Sequence, residues 1–278
     1  MFSSIMASPL IVLTDFYAVT NSALSYAAGL ALPLQAELVL LHARYDALLA
    51  PLDDPSYVPV DALATEQALQ QLAVTQPVST QVEVSERELP EAVRTAVRSH
   101  NPLLLVLGHP GGANTPVEVM ISTAKTLLST VPYPLLLVPA LAQEAVPPRR
   151  LLLAVDGQPF VLHQYQDIIR QLLSVSGGGT LNIVRVADSS HPRLGADTIL
   201  GTIAANDLAD EAAFGQVAEV ADLSAVDGVL AEADRQQADL LVVIARRHSL
   251  LGSLFHHSVT GQFIERSTIP VLVLPAKD

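Results

Sequence analysis

The feature that most constrains this chain is that its second half repeats its first. Three apolar segments recur in the same order, at offsets of 141, 137 and 136 residues. The matching pairs are Pro9–Asp15 with Arg150–Asp156, Asn101–Leu107 with Ala238–Ile244, and Val131–Ala140 with Ser267–Ala276. Such a repeat indicates two copies of one folding unit, and a length of 278 residues suits two domains. We therefore predict domains over residues 1–140 and 150–278.

Within each half, short apolar runs alternate with longer amphipathic ones. The runs predict strands near 9–14, 37–43, 79–84, 103–107 and 135–138, then near 150–155, 180–186, 216–220, 240–244 and 271–274. Helices are predicted near 20–32, 61–74, 89–100 and 115–130, then near 160–174, 197–213, 224–237 and 254–267. Strands that alternate with helices favour a parallel sheet covered on both faces. The expected fold class is α/β, with two doubly wound Rossmann-like domains, each a five-stranded parallel sheet in the order 3-2-1-4-5.

Composition and charge narrow the classes of partner and chemistry. The chain has no cysteine, which excludes disulfides, zinc–thiolate sites and thiol catalysis. A net charge of −13 disfavours binding to nucleic acid or to an anionic membrane. The segment Met1–Leu13 has no basic region of the kind that opens a secretory signal, and the apolar stretch Ala23–His42 is broken by polar residues and Pro33. We expect a cytoplasmic protein that does not enter a membrane.

A doubly wound sheet binds ligands beyond the carboxyl ends of its first and fourth strands, where the strand order reverses. Each predicted first strand ends in a carboxylate, Asp15 or Asp156. A carboxylate there can hydrogen-bond a polar ligand, but Asp is also a common cap for the helix that follows, and position alone favours the cap. Both uses remain open from the sequence.

The loop after the fourth strand differs between the halves. The first half has glycines at Gly108, Gly111 and Gly112, where bare backbone amides can approach a phosphate. The second half has Ala245–His248, without glycine. Arg246 and Arg247 in that loop could bind an anion, lock against the acidic first half or be surface charges that pair with carboxylates, and we favour the surface pairing. The glycine fingerprints of dinucleotide-binding enzymes and P-loop NTPases are absent, as is the α/β-hydrolase nucleophile motif.

Taken together, these segments resemble the universal stress protein family across essentially the whole chain, twice. That family has an Asp after its first strand. Its phosphate loop reads Gly, two residues, Gly, nine residues, then Gly followed by Ser or Thr. The resemblance implies that Asp15 contacts an adenine and that Gly108 and Gly111 open the phosphate loop. Ser122 follows Ile121, which replaces the family's last glycine.

In the second half, Asp156 is kept, which makes it the corresponding candidate for a nucleotide contact. Sequence alignment places Ala245, His248 and His257 at the three glycine positions, with a loop one residue shorter than in the first half. The resemblance therefore implies a degenerate adenine-nucleotide site in the first domain, with ATP as the candidate ligand and Mg²⁺ only alongside it. It implies no comparable site in the second domain.

A helix start at Thr115 and Pro116, with Glu118 completing a capping box, would place Ser122 two turns inside that helix. Ser122 would then lie away from the free amides that receive phosphate. No catalytic residue is predicted. His248, His256 and His257 with Glu265 match no standard ligand spacing, so no metal site is predicted.

Three functional hypotheses remain. The first is a non-catalytic stress-response protein that binds a nucleotide. The second is a protein-interaction scaffold that is independent of nucleotide. The third is a slow nucleotide hydrolase, which lacks a visible general base. The resemblance also implies an intramolecular pseudo-dimer through the final strands, open to further dimerisation, and it identifies no protein partner.

Overall fold

The computed structural model describes residues 7–14, 18–43, 62–108, 117–139, 146–186, 196–210, 213–220, 224–246 and 259–276. By its internal contacts the chain divides into two compact units, Met1–Leu141 and Ala142–Asp278. Within the described ranges, no helix combines the length and the apolarity needed to cross a membrane.

The first unit alternates strands and helices throughout. Its elements are β1 (Ala7–Leu13), α1 (Ala18–Leu34), β2 (Ala36–Ala43), α2 (Ala62–Val74), β3 (Thr80–Ser85), α3 (Leu89–His100), β4 (Leu104–Gly108), α4 (Val117–Thr130) and β5 (Leu135–Val138). The strands pair in parallel in the order β3-β2-β1-β4-β5. This is the predicted order 3-2-1-4-5.

The second unit repeats this plan. Its elements are β6 (Arg150–Val155), α5 (Asp167–Val175), β7 (Thr180–Val186), α6 (Ala196–Ala205), β8 (Phe214–Val220), α7 (Ala225–Gln236), β9 (Leu240–Arg246), α8 (Val259–Arg266) and β10 (Val271–Ala276). A 3₁₀ turn, His163–Tyr165, precedes α5. The parallel order is β8-β7-β6-β9-β10, so the α/β fold and strand order predicted from the sequence are confirmed in both units.

The central strands form the core of each unit. In β1, Leu10–Leu13 are at most 3% exposed, and Leu151–Leu153 of β6 are fully buried. A parallel strand with helices on both faces has no solvent side, which explains why these strands read as unbroken apolar runs. The flanking helix α3 shows the opposite pattern, because it buries one face at Leu89, Ala92, Val93 and Ala96 and exposes the rest.

Two predicted helices have different bounds in the structure. The helix predicted over 160–174 begins only at Asp167. Tertiary hydrogen bonds, described below, hold the preceding loop in a non-helical path. The helix predicted over 197–213 ends at Ala205, because Asp207 adopts a left-handed backbone with φ of 49°. The predicted starts near 115 and 254 lie outside the described residues.

Candidate functional site

In each unit, the carboxyl ends of the first and fourth strands adjoin at the point where the chain reverses its winding direction. Leu13 of β1 pairs with Leu107 of β4, and Ala154 of β6 pairs with Val243 of β9. Ligands of doubly wound folds bind in the crevice beyond these ends. Of the predicted site residues, Gly108, Ser122 and Asp156 fall within the structure's described parts. Asp15 and Gly111 lie outside the described residues.

The first crevice is bounded by Thr14, which directly follows β1 and is buried. Its N–H donates to the carbonyl of Leu41 at 3.0 Å. The Thr14 carbonyl lies 3.1 Å from Nδ1 of His42. A carbonyl can only accept, so this contact requires His42 to carry a proton on Nδ1. His42 thereby joins the ends of β1 and β2.

On the other side of the first crevice, Gly108 is the last residue of β4 and pairs with Val138 of β5. Ile121 is buried in α4 at 3% exposure. Ser122 is the sixth described residue of that helix. In α-helical geometry, an amide this far inside the helix bonds to the carbonyl four residues earlier, so it is not free to bind phosphate. Ser122 therefore has no free backbone amide to offer a phosphate, as expected if the helix begins near residue 115.

Strand register corrects one part of the sequence comparison. The repeat makes Leu13 equivalent to Ala154, and their partners on the fourth strands are Leu107 and Val243. Gly108 is therefore equivalent to Ile244, and the prediction that Ala245 holds its place is wrong. The register of the fifth strands agrees, because Leu105 pairs with Leu135 in the first unit and Leu241 with Val271 in the second.

With the corrected register, the loops that follow the fourth strand have the same length in both halves. Gly111 then corresponds to Arg247, and the predicted one-residue deletion disappears. The second unit still has no glycine at either position. Strand β9 continues two residues beyond Ile244, and its last residue, Arg246, pairs with Ala276 of β10.

The side chain of Arg246, at the end of the second crevice, is only 10% exposed. Its Nε donates to Oδ2 of Asp156 at 3.2 Å, and Nη2 donates to Oδ1 at 3.1 Å. Nη1 donates to the carbonyl of Pro159 and Nη2 to the carbonyl of Gln158, both at 3.0 Å. We refer to Arg246 with residues 156–159 as the arginine clasp. Four of the five N–H groups of this guanidinium thus have acceptors on one short loop.

Asp156 is held on its own side of the clasp as well. Its Oδ1 accepts from the backbone N–H of Gln158 at 3.0 Å, which closes a tight turn directly after β6. The carboxylate therefore caps the local chain and pairs with Arg246 at once. Of the two uses that the sequence left open for Asp156, the structure shows the capping use. Arg246 pairs with a carboxylate, as we favoured, but it is a buried side chain and not the surface charge that we expected.

The rest of this loop is anchored by Asn206, which is 2% exposed. Its Oδ1 accepts from the N–H of Leu162 at 2.8 Å. Its Nδ2 donates to the carbonyls of Phe160 and Thr202, at 2.8 and 2.9 Å. Arg246 of β9 and Asn206, just after α6, thus donate to the carbonyls of three consecutive residues, 158–160. This is why α5 begins later than its apolar pattern predicts.

A second buried arginine lies at the neighbouring strand end. Arg185 of β7 pairs with Val155, which the repeat makes equivalent to Thr14. Arg185 therefore has the strand position that His42 has in the first unit. Its side chain is 8% exposed and its Nη1 lies 3.5 Å from Oε2 of Glu219 on β8. Its Nε would lie 3.1 Å from a Cβ built on Gly157, which has φ of 85°. Gly157 is therefore required both by its backbone conformation and by the space that Arg185 occupies.

Sequence reasoning did not single out Arg185 or Asn206, and it did not foresee which carboxylate Arg246 would find. Asp156 and Arg246 are 90 residues apart in the chain. The available signal was an arginine at the end of an otherwise apolar strand run, which occurs at both Arg185 and Arg246. Within the described residues there is no group of three or more potential metal ligands. His248, His256 and His257 lie outside them.

Comparisons with solved structures place this fold. A universal stress protein from Archaeoglobus fulgidus superposes with a TM-score of 0.71 at 14% identity, covering 97% of this chain and 98% of that one. A protein of unknown function from Pseudomonas aeruginosa gives a TM-score of 0.54 at 18% identity, covering 97% and 93%. Another from that species, provisionally classed as a universal stress protein, gives 0.52 at 19% identity, covering 98% and 94%. A comparison with curated proteins found no match.

A model of the universal stress protein family matches twice, over residues 6–139 and 148–275. The two matches together span nearly the whole chain and coincide with the two repeats of strands and helices. The chain therefore belongs to the universal stress protein family, as a tandem of two such domains.

Proposed function

We propose that this protein is a non-catalytic, cytoplasmic stress-response protein that binds one adenine nucleotide per chain, in its first domain. Adenine nucleotide is the ligand that the family resemblance implies for Asp15, Gly108 and Gly111. The single observation that carries the one-site proposal is the arginine clasp, because it engages in the second domain the carboxylate that would otherwise face a ligand. In the first domain, the residue equivalent to Arg246 in sequence is Pro110, and a proline side chain has no donor for such a contact.

The described part of the first crevice fits a nucleotide only in part. Gly108 leaves the end of β4 free of a side chain, which suits close approach of a ligand to the backbone. Ile121 is buried and Ser122 lies inside α4, so the end of the family's phosphate motif offers no free amide. We infer that the adenosine end of the ligand supplies most of the affinity and that the phosphates are held weakly, with Mg²⁺ entering only with them.

We base the non-catalytic assignment on the lack of a visible general base in the sequence. A hydrolase must place a general base on the attacking water. The titratable side chain described at this crevice is His42, whose Nδ1 joins β1 to β2 through the Thr14 carbonyl, and we propose that its role is structural. The equivalent position in the second domain is Arg185, whose guanidinium has donors only.

The test is calorimetric titration of nucleotide-stripped protein with Mg·ATP, read for stoichiometry. We expect one site per chain. Asp15→Ala should abolish the binding heat, and Asp156→Ala is the matched control that should retain it, because the equivalent carboxylate of the second domain is engaged by Arg246. Thermal unfolding of both variants at the same time checks that they are folded at the temperature of the titration.

Other results would point elsewhere. Two sites per chain, or loss of binding in Asp156→Ala, would contradict a closed second domain. Absence of heat together with absence of a thermal shift at millimolar ATP would reject nucleotide binding and favour the scaffold role. Phosphate release above a blank without protein would reject the non-catalytic assignment.

A further inference from the structure

The loop that follows β6 has the chemistry of a receptor for a planar cation. It presents four acceptors to Arg246: two carboxylate oxygens of Asp156 and the carbonyl oxygens of Gln158 and Pro159. A guanidinium group is flat and directs its N–H bonds outward in its own plane. Four acceptors at 3.0–3.2 Å from its three nitrogens suit this arrangement of donors. An ammonium group, with three donors on one nitrogen, cannot satisfy the same arrangement.

The position of these acceptors is as informative as their geometry. They directly follow the first strand of the second domain, and the arginine that they bind is the last residue of the fourth. A doubly wound sheet takes its ligand beside these two strand ends. The strand that carries Arg246 runs two residues past Ile244, the equivalent of Gly108. The equivalent positions of the first domain, residues 109 and 110, lie outside the described residues.

We propose that residues 156–159 form a guanidinium-binding site, and that Arg246 is its built-in occupant, which closes the second crevice from within the chain. The proposal does not depend on nucleotide binding by the first domain. The ligand class that it assigns to the second domain is a planar guanidinium cation, and Arg246 of the same chain already supplies one.

The two partners of the clasp differ in burial, which gives the proposal a distinctive signature. The Arg246 side chain is 10% exposed, whereas that of Asp156 is 54% exposed. Removing Asp156 leaves a buried positive charge without its counter-charge, which is costly. Removing Arg246 leaves a carboxylate and carbonyls that water can solvate, which costs less.

We therefore expect Asp156→Ala to lower the melting temperature of the second domain by about 10 °C, and Arg246→Ala to lower it by about half as much. The double variant should melt no lower than Asp156→Ala alone, because both changes remove the same interaction. Arg246→Lys should melt close to Arg246→Ala, since it keeps the charge and loses the planar donors.

Chemical rescue tests the receptor directly. Methylguanidinium at about 10 mM should raise the melting temperature of Arg246→Ala in a saturable manner and recover about half of the loss. It should also restore hydrogen-exchange protection in peptides that cover residues 151–162. Lysine amide at the same concentration should do neither. Asp156→Ala, which lacks the carboxylate, should not respond to methylguanidinium.

Arg266→Ala is the matched control, because it removes an arginine that pairs with Asp227 on the exposed surface of the same domain. It should melt only slightly below the parent, because an exposed ion pair contributes little to stability, and it should show no rescue. The proposal is overturned if Arg246→Ala melts like the parent, or if methylguanidinium stabilises no variant or all variants equally. If Arg246→Ala is recovered unfolded, the proposal requires a higher refolding yield in the presence of methylguanidinium, and an unchanged yield overturns it.

Discussion

At the scale of single residues, carboxylates act here mainly by fixing arginines and chain ends. Asp156 shows this at the second crevice, and Asp227 shows it at the start of α7. The backbone N–H of Asp227 donates to Oγ of Ser224, the N-cap residue, at 3.3 Å. Its carboxylate pairs with Arg266 in the last turn of α8. An acid at a helix N-terminus and a base at a helix C-terminus both complement the helix dipoles.

This arrangement predicts a defined pH dependence. The hydrogen bond from Arg266, and then that involving Ser224, lowers the pKa of Asp227 below its ordinary value. A carboxylate with a lowered folded-state pKa stabilises the fold fully above its unfolded pKa of about 4 and loses this contribution as the pH falls through the folded pKa. The stability difference between the parent and Asp227→Asn, measured by urea unfolding, should therefore stay constant from pH 7 to about pH 5 and shrink toward zero in stronger acid.

Asp234→Asn is the control for this series. Asp234 is an exposed acid in the last turns of the same helix, where negative charge opposes the helix dipole. Its replacement should leave stability at pH 7 unchanged or slightly raised, the opposite sign to Asp227→Asn. A stability difference for Asp227→Asn that does not change with pH would contradict the assigned ion pair.

At the scale of elements, the edge strand β8 depends on one glycine. The β7–β8 register shifts between Leu181 and Ile183, so that β8 carries an extra residue opposite Asn182. Oδ1 of Asn182 fills the gap by accepting from the N–H of Gln216 at 3.0 Å. A Cβ on Gly215 would overlap that oxygen. The bulge therefore pairs a side-chain acceptor with a residue that has no side chain.

Gly215→Ala should destabilise the protein by about 1–3 kcal/mol, because Asn182 must move and Gln216 loses its acceptor. Gly201→Ala is the contrasting variant. Gly201 lies in α6 with open space around its Cβ position, so alanine there should stabilise by about 0.5–1 kcal/mol. Urea unfolding measures both.

A double-mutant cycle completes the test of the bulge. Asn182→Ala combined with Gly215→Ala should cost less than the sum of the two single changes, because the overlapping oxygen is already gone. If Gly215→Ala and Gly201→Ala change the free energy of unfolding in the same direction, the bulge does not require glycine. Strict additivity of the two changes in the cycle would show the same.

At the scale of the whole molecule, two domains with one topology have diverged in how they treat the same crevice. The first has Gly108 and His42 at its strand ends, and the second has the arginine clasp and Arg185. One crevice is open to a ligand in our proposal, and the other is closed by the chain itself. The pairing of the domains through their final strands, expected from the family resemblance, stays a prediction.

This asymmetry predicts that nucleotide stabilises one domain only. A ligand at a hundredfold excess over its Kd stabilises the domain that binds it by about 2.7 kcal/mol. In differential scanning calorimetry, Mg·ATP should therefore move one unfolding transition upward by several degrees and leave the other in place. Asp156→Ala identifies the second-domain transition, because it should lower that one. A shift of the second-domain transition by ATP would contradict the asymmetry.

The sequence by itself determined the fold class and the repeat of both domains. These follow from local periodicity, since a buried parallel strand must be an unbroken apolar run and its flanking helix must be amphipathic. The strand order was predicted as that of a doubly wound fold, because periodicity does not say which strands are neighbours. The sequence also predicted a cap at Asp156, because the N–H that its carboxylate accepts from is only two residues away. Local patterns of this kind need no knowledge of the rest of the chain.

The tertiary structure decided the parts that depend on distant partners. Arg246 meets Asp156 across 90 residues and Asn206 meets Leu162 across 44, and no local pattern selects those partners. The equivalence of Gly108 with Ile244 was likewise fixed by the hydrogen-bond ladder, because an alignment of similar apolar runs can slip by one residue at little cost. A ladder cannot slip so easily, because a shift of one residue turns every side chain to the opposite face of the sheet.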